Sequence, residues 1–296
     1  MDPFTLIVMM LTLLPVGFLA ALVGIGGGTI VVPLLTLVFH VDIKEAIATS
    51  SVTVVATGVT SASRYLKQGL TNVRLGIFLN ASTVLGAIMG ALFTLRAPPS
   101  VLYFAISILL LYVGFNQITT SRREVEKIES GGFARVSLDR LALLLGLSGS
   151  YYDKASRREV EYAVAKTSVG LLASIVAGFM SGMLGIGGGV LKVPIMNLIM
   201  NVPMKVAVAT SKFMIGMTAA TAACIYMEAG RVNPVLAAPI VLGITTGALL
   251  GTKVMNRVRA DRLKVIFGAV LMYFGYLMLA RALYTTLGVR LPGCLV

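Results

Sequence analysis

The five residues Gly24-Ile25-Gly26-Gly27-Gly28 occur a second time in the chain, as Gly185-Ile186-Gly187-Gly188-Gly189. The offset of 161 positions holds without a gap through the residues that follow, and 14 of the 27 residues from 24 to 50 are identical to their counterparts. A repeat of this length indicates that the chain consists of two related halves. We place the halves at residues 4–117 and 166–284, separated by a polar stretch at 118–165.

The composition is that of a membrane protein. Of the 296 residues 57% are hydrophobic and 12% are charged, and the mean hydropathy is +0.92. Soluble domains carry about 25% charged residues, so half of the charge that would solvate such a domain is missing. Because a membrane-spanning helix needs about 20 apolar residues, the chain has room for roughly eight to ten crossings and for no sizeable soluble domain.

Each half divides into the same series of apolar segments. A first helix leads into the glycine run, a short piece containing Pro33 or Pro194 follows, and three longer segments complete the half. A helix of eleven residues rises only about 16 Å, which is half of a ~30 Å hydrocarbon core. The short pieces are therefore predicted to be broken segments. The expected segments are 5–23, 29–39, 44–64, 73–95 and 99–117, then 166–184, 190–200, 205–225, 234–254 and 261–284.

The number of crossings decides how the halves relate to each other. If each half crosses the membrane five times, the second half has the opposite orientation to the first. If each half crosses four times, the two halves have the same orientation. Cytoplasmic loops carry an excess of Lys and Arg, and five elements place the basic stretches 64–74, 118–165 and 253–264 on one side of the membrane. We therefore expect an all-α polytopic membrane protein of two inverted repeats with both termini outside. Labelling of a cysteine near position 257 from the outside of intact cells would contradict this orientation.

The net charge of +13 agrees with this topology. In a soluble protein this surplus would suggest nucleic acid binding, but here it indicates cytoplasmic loops and contact with the lipid bilayer. The stretch 118–165 is predicted to be a cytoplasmic loop with one short amphipathic helix at about 138–147.

The two glycine runs are the first candidate binding elements. Glycine permits positive φ and close approach of the backbone to a ligand, and a helix that begins just after it presents unpaired N–H groups and a positive dipole end. Broken helices at corresponding positions of two halves indicate a transporter site near the bilayer midplane. The alternative is that the glycines only let helices pack closely. The candidates are Gly26, Gly27, Gly28, Gly187, Gly188 and Gly189.

Two lysines, Lys192 and Lys212, lie inside apolar segments. A lysine at the bilayer centre costs about 2.5 to 3.5 kcal/mol on insertion scales, and neither residue has an acid nearby in the sequence. Either each side chain snorkels to an interface, or it supplies a fixed positive charge for an anionic substrate. Their repeat counterparts are Val31 and Ser51, so the charge breaks the symmetry of the repeat.

Hydroxyl side chains gather beside the broken segments. Serine and threonine in membrane helices usually bond to the carbonyl four residues earlier, but a duplicated Ala-Thr-Ser, at 48–50 and 209–211, also offers neutral donors to the oxygens of an anion. The candidates are Thr29, Thr49, Ser50, Ser51, Thr210 and Ser211.

Residues for catalysis or metal binding are nearly absent from the apolar segments. His40 is the single histidine, and no Cys/His spacing typical of a metal site occurs. We therefore expect no enzyme, no cofactor and no metal ion.

The pattern Gly-Ile-Gly-Gly-Gly-x4-Pro, present once per half and each time followed by Ala-Thr-Ser, resembles the TauE/SafE family of membrane anion transporters, also called the TSUP or sulfite exporter family. The resemblance covers nearly the whole chain except the central stretch. It implies a multi-pass protein of the plasma membrane with duplicated halves that moves sulfur-containing anions, such as sulfite or organosulfonates.

We accordingly expect a secondary transporter that exports such an anion. The anion would be held near the midplane between the halves, and rocking of one half against the other would alternate access. Two alternatives remain open: a passive anion channel of the same fold, and a membrane scaffold or sensor that acts through the central stretch.

Overall fold

The computed structural model describes residues 3–23, 27–119, 139–153, 158–254 and 260–288. The first half contains α1 (Pro3–Val23), α2 (Gly28–Leu37), α3 (Ile43–Lys67), α4 (Val73–Arg96) and α5 (Pro99–Thr119). The central stretch contains α6 (Arg140–Leu144), β1 (Gly149–Asp153) and β2 (Arg158–Tyr162). The second half contains α7 (Thr167–Leu184), α8 (Gly189–Pro194) with a π-helical turn (Ile195–Ile199), α9 (Met204–Glu228), α10 (Pro234–Val254) and α11 (Ala260–Leu287).

Eight of the described helices are long and apolar enough to cross a membrane. They are α1, α3, α4, α5, α7, α9, α10 and α11. The remaining apolar helices, α2 and α8 with its π-helical turn, are shorter. The predicted all-α polytopic membrane fold is thus confirmed, and the helices agree in number and order with the segments expected from the sequence.

Local sequence signals set several helix ends. The Asp42 carboxylate accepts the N–H of Lys44 at 2.9 Å and caps the start of α3, and the Asn72 side chain caps α4 in the same way. Helices α5 and α10 begin on Pro99 and Pro234, a residue suited to the first helical position because its missing N–H would have no partner there.

Glycines let the two halves interlock. A Cβ atom on Gly86 of α4 would overlap the carbonyl oxygen of Ile175 in α7, and a Cβ on Gly247 of α10 would overlap that of Leu14 in α1. Gly86 and Gly247 are repeat counterparts, and so are Leu14 and Ile175. Each half therefore packs its first helix on the fourth helix of the other half, through equivalent close backbone contacts.

The order of these contacts gives the helix directions. Gly243 approaches Met10, and two turns later Gly251 approaches Phe18, so α10 and α1 run parallel. The contacts between α4 and α7 advance in the same order along both helices, so these two helices are parallel as well.

The central stretch contains a β-hairpin that the sequence analysis did not predict. Strands β1 and β2 are antiparallel, with Gly149 opposite Tyr162 and Tyr151 opposite Val160. The predicted helix at 138–147 is confined to α6 among the described residues, while 120–138 and 154–157 lie outside them. In β2 the charged residues alternate with Val160 and Tyr162, a pattern typical of a strand, but β1 shows no such alternation and five residues are a short window.

Candidate functional site

The two glycine runs meet in the protein interior. Gly28 begins α2, and a Cβ there would lie 2.9 Å from the carbonyl oxygen of Gly185 and 3.1 Å from Cα of Ile186. Ser50 of α3 joins the two turns, because its hydroxyl donates to the Gly185 carbonyl at 2.8 Å and lies 3.4 Å from the Gly28 carbonyl. The candidates Gly28 and Ser50 therefore lie together, with Gly185 as a third member.

The other glycines shape the turns. Gly187 and Gly188 have φ of +79° and +68°, a region that residues with a Cβ seldom adopt. Helix α8 begins at the next residue, Gly189. Both short helices thus begin within a few residues of the point where the turns meet. Gly26 lies outside the described residues.

Helix α2 does not continue the line of α1. Gly17 of α1 packs against the backbone of Ile244, and Gly27 packs against the side chain of the same residue. Because both glycines contact Ile244, the start of α2 lies beside α1 at the level of Gly17. The short helix therefore does not prolong α1.

Lys192 is buried in a polar cluster of the second half and α4. The side chain is 1% exposed, and its Nζ donates to the Thr218 hydroxyl at 2.8 Å. The Thr218 and Thr83 hydroxyls each lie 3.1 Å from Oδ1 of Asn80. We call Lys192, Asn80, Thr83 and Thr218 the lysine cluster. Its ammonium group points into the protein and does not snorkel to an interface.

The partners of Lys192 are not among the candidate residues predicted from the sequence. Asn80 and Thr83 lie in an apolar helix, outside any duplicated motif. Their repeat counterparts are Val241 and Ile244. Lys192 was predicted because it is a lysine inside an apolar segment; a polar residue whose repeat counterpart is apolar is a further signal, which could have found Asn80 and Thr83.

Lys212 is 5% exposed, and its ammonium forms no hydrogen bond or ion pair with the described residues. Lys192 and Lys212 are the only charged side chains among the buried residues of the described ranges. No buried carboxylate in these ranges balances either charge. The described interior therefore has a positive electrostatic character, to which the N-terminal ends of α2 and α8 add.

The six candidate hydroxyls have different environments. Ser51 bonds back to the Ile47 carbonyl at 3.0 Å, which is the structural role expected in a helix. Thr210 accepts the backbone N–H of Asn72 at 3.0 Å, and Thr29 is fully buried. Thr49 and Ser211 are buried with no hydrogen-bond partner for their hydroxyls among the described residues. Buried polar groups are normally satisfied, so these two are the hydroxyls best able to receive a ligand.

The central stretch is attached beside Thr210. The Asn72 side chain donates to the Leu147 carbonyl at 2.6 Å and to the Tyr162 hydroxyl at 2.9 Å, while its backbone binds Thr210. A cavity of about 310 Å³ lies here, lined by the α3–α4 turn and by residues of the hairpin. A second cavity of about 380 Å³ lies at the corresponding α9–α10 turn, where its described lining includes Asp42, Glu45 and Arg231 but no part of the central stretch.

Asn72→Ala is expected to loosen the attachment of the central stretch. Besides the α4 cap, the variant loses the two hydrogen bonds to the central stretch, of about 1 kcal/mol each, so amide hydrogen exchange in 139–153 and 158–162 is expected to accelerate by about tenfold or more. Asn233→Ala is the matched control, because Asn233 is the repeat counterpart and accepts a cap bond from Val235 at 3.1 Å. Equal exchange in both variants would show that Asn72 does not hold the hairpin.

In the described residues two short helices begin where the glycine turns meet, and the only buried charged side chains are lysines. These are features of a multi-pass membrane transporter. The family model described as "Sulfite exporter TauE/SafE" matches residues 9–278. The chain therefore belongs to the TauE/SafE family, as the glycine motif predicted.

Two relatives match nearly end to end. The chain is 27% identical over 278 residues to "Probable membrane transporter protein YunE" of Bacillus subtilis (strain 168), covering 91% of this chain and 95% of the relative. It is also 27% identical over 278 residues to "Probable membrane transporter protein MJ0441" of Methanocaldococcus jannaschii, covering 89% and 91%. No solved structure matches the chain. The predicted multi-pass membrane location is confirmed, and the names are those of transporters rather than enzymes.

Proposed function

We propose that this protein is a secondary transporter that exports a small sulfur-containing anion, such as sulfite or an organosulfonate. The positive interior carries this proposal, because Lys192 and Lys212 are buried with no buried carboxylate in the described ranges. Intramembrane charges are costly and generally mark functional sites, substrate pathways among them. An anionic substrate would neutralise these cations, which makes the site selective for anions.

The anion would bind near the meeting point of the glycine turns. Backbone N–H groups after Gly28 and Gly189 would contribute through the helix ends, and Lys212 or Lys192 would contribute charge. The hydroxyls of Thr49 and Ser211 have no competing partner in the described residues. Ser50 would have to exchange the hydrogen bond that it donates to Gly185, whereas Thr210 accepts from Asn72 and could still donate its hydroxyl proton to the anion.

The contacts between counterpart helices support inverted repeats. A Cβ on Gly58 of α3 would lie 3.0 Å from the backbone nitrogen of Gly216 in α9, and Asn72, beyond the end of α3, binds Thr210 nearer the start of α9. Helices α3 and α9 therefore run antiparallel. Two counterpart helices that pack antiparallel are related by an axis perpendicular to both, which lies in the membrane plane if both helices cross it. Rocking of the repeats 4–117 and 166–284 would then alternate access, with the stretch 118–165 on the cytoplasmic side.

Reconstitution of the purified protein into proteoliposomes tests this function. We expect saturable flux of at least one of sulfite, thiosulfate, sulfoacetate or taurine, and uphill movement driven by a counter-gradient. Carboxylate analogues serve as controls for the sulfur group. Absence of flux for every sulfur anion would contradict the proposed substrate, and flux that neither saturates nor runs uphill would favour the passive channel.

A further inference from the structure

We propose that the lysine cluster is an oxyanion-binding subsite in which Lys192 and Asn80 donate to the oxygens of the transported anion and Thr218 positions the Lys192 ammonium. This proposal rests on the proposed function and adds Asn80, with Thr218 as a positioning residue, to the residues that recognise the substrate. It also places the bound anion closer to the second half of the chain and to α4 than to the rest of the first half, so the anion does not lie midway between the two glycine turns.

The lysine cluster is short of hydrogen-bond acceptors. A lysine ammonium has three donors, yet Lys192 has one described acceptor, the Thr218 hydroxyl. Among the described residues the Asn80 amide nitrogen donates only to the Met217 sulfur, at 3.5 Å, and thioether sulfur is a weak acceptor. Both side chains are more than nine-tenths buried, where unused donors and unpaired charge are costly. An oxyanion would supply both the missing acceptors and the missing negative charge.

The orientation of Asn80 leaves its donor available. Its Oδ1 faces the hydroxyls of Thr83 and Thr218, each at 3.1 Å, so Nδ2 is the group without an oxygen partner. The Lys192 nitrogen lies no more than 5.9 Å from this Oδ1, since the two atoms are 2.8 and 3.1 Å from the same Thr218 oxygen. The two donors, Lys192 Nζ and Asn80 Nδ2, therefore belong to the same small cluster, and a sulfite, thiosulfate or sulfonate group has several oxygens that can accept from both.

The cluster lies next to the meeting point of the glycine turns. A Cβ on Gly187 would lie 2.9 Å from the Ile215 side chain of α9. Thr218 follows Ile215 by three residues, which is about one helical turn. An anion bound at the lysine cluster is therefore within about one helical turn of the point where the glycine turns meet.

The repeat counterpart of the cluster cannot bind an anion in the same way. Lys192, Asn80 and Thr83 correspond to Val31, Val241 and Ile244, and only Thr218 corresponds to another hydroxyl, Thr57. The subsite therefore occurs once in the chain. This difference also supplies a control, because Thr57 has the same side chain on the counterpart helix and is likewise buried.

The first test compares Thr218→Val with Thr57→Val in reconstituted full-length protein. Thr218→Val is expected to raise the half-saturation concentration for sulfite or thiosulfate by about tenfold or more, since it removes a hydroxyl from a charged hydrogen-bond network. Thr57→Val loses a hydroxyl that, within the described part of the chain, bonds only to carbonyls of its own helix, so its half-saturation concentration is expected to stay within about twofold of wild type. Wild-type half-saturation in both variants would overturn the proposal.

The second test is Asn80→Asp, which puts a carboxylate beside Lys192. This carboxylate would supply the missing charge itself, so we expect transport and the thermal stabilisation by added sulfite to be lost while the unfolding temperature is kept or raised. If wild type transports no sulfur anion at all, the proposed function is wrong. If wild type transports and Asn80→Asp saturates at the same concentration, the function stands and this subsite is wrong.

Discussion

Lys212→Met is expected to abolish anion flux in proteoliposomes while leaving the protein as stable as wild type or more stable. Lys212 is 5% exposed and has no described partner for its charge. Burying an unpaired ammonium is unfavourable, so removing the charge relieves a cost of folding. Methionine keeps most of the buried stem volume, which avoids the cavity that Lys212→Ala would leave. The loss of flux is expected to exceed about 100-fold. A buried hydrogen bond between the Lys212 ammonium and the bound anion would be worth about 1.5 to 3 kcal/mol, and the variant loses the full charge as well.

Ser51→Ala serves as the control for this variant. Ser51 is the repeat counterpart of Lys212, and among the described residues its hydroxyl donates to the Ile47 carbonyl of the same helix. Flux is expected to stay near wild type there. Sulfite flux in Lys212→Met equal to that of wild type would remove Lys212 from the site, and reduced stability with retained flux would show that its role is structural.

Gly185→Ala is expected to separate the two glycine turns. The variant is expected to lose several kcal/mol of stability and to lose transport. Gly185 has φ of +67°, and a Cβ there would overlap the carbonyl oxygen of Ile47 in α3. A left-handed conformation costs an alanine about 1 to 2 kcal/mol. The overlap adds to this, because backbone atoms cannot move aside as a flexible side chain can.

Gly230→Ala isolates the contribution of the close contact. Gly230 has nearly the same φ, +65°, but a Cβ there meets no atom within 4 Å. It therefore carries the backbone strain alone. Thermal unfolding in detergent and flux in proteoliposomes are expected to show a much larger loss for Gly185→Ala. Equal losses in the two variants would mean that the approach of Gly185 to α3 is not required.

The fold could be predicted because its determinants are local and repeated. Long apolar stretches set the membrane helices, and the duplicated run at Gly24 and Gly185 marks the breaks. The hairpin of the central stretch was missed because its strands are short and are stabilised by packing on the membrane helices, where Tyr151 and Tyr162 are buried together with Leu75 and Val206. Such tertiary support leaves little trace in a window of sequence.

The candidate site could be predicted only where the repeat marked it. Gly28, Ser50 and the two lysines belong to duplicated segments, and the structure buries all of them. Asn80 reaches Thr218 across 138 positions, and a single amide in an apolar helix does not reveal which neighbour it faces. Likewise, the sequence cannot distinguish Ser51, which bonds within its own helix, from Thr49, which does not.

The exchange of helices between the halves also affects biosynthesis. Helix α1 packs on α10, yet Gly243 of α10 follows Met10 of α1 by more than 230 residues. At a synthesis rate of roughly 5 to 20 residues per second, α1 stays in the bilayer for about 10 to 50 seconds before its partner leaves the ribosome. Helix α7, in contrast, finds α4 already inserted. Helix α1 therefore gains its contacts with the other half later than α7 does, and final assembly has to wait for the carboxyl-terminal part of the chain.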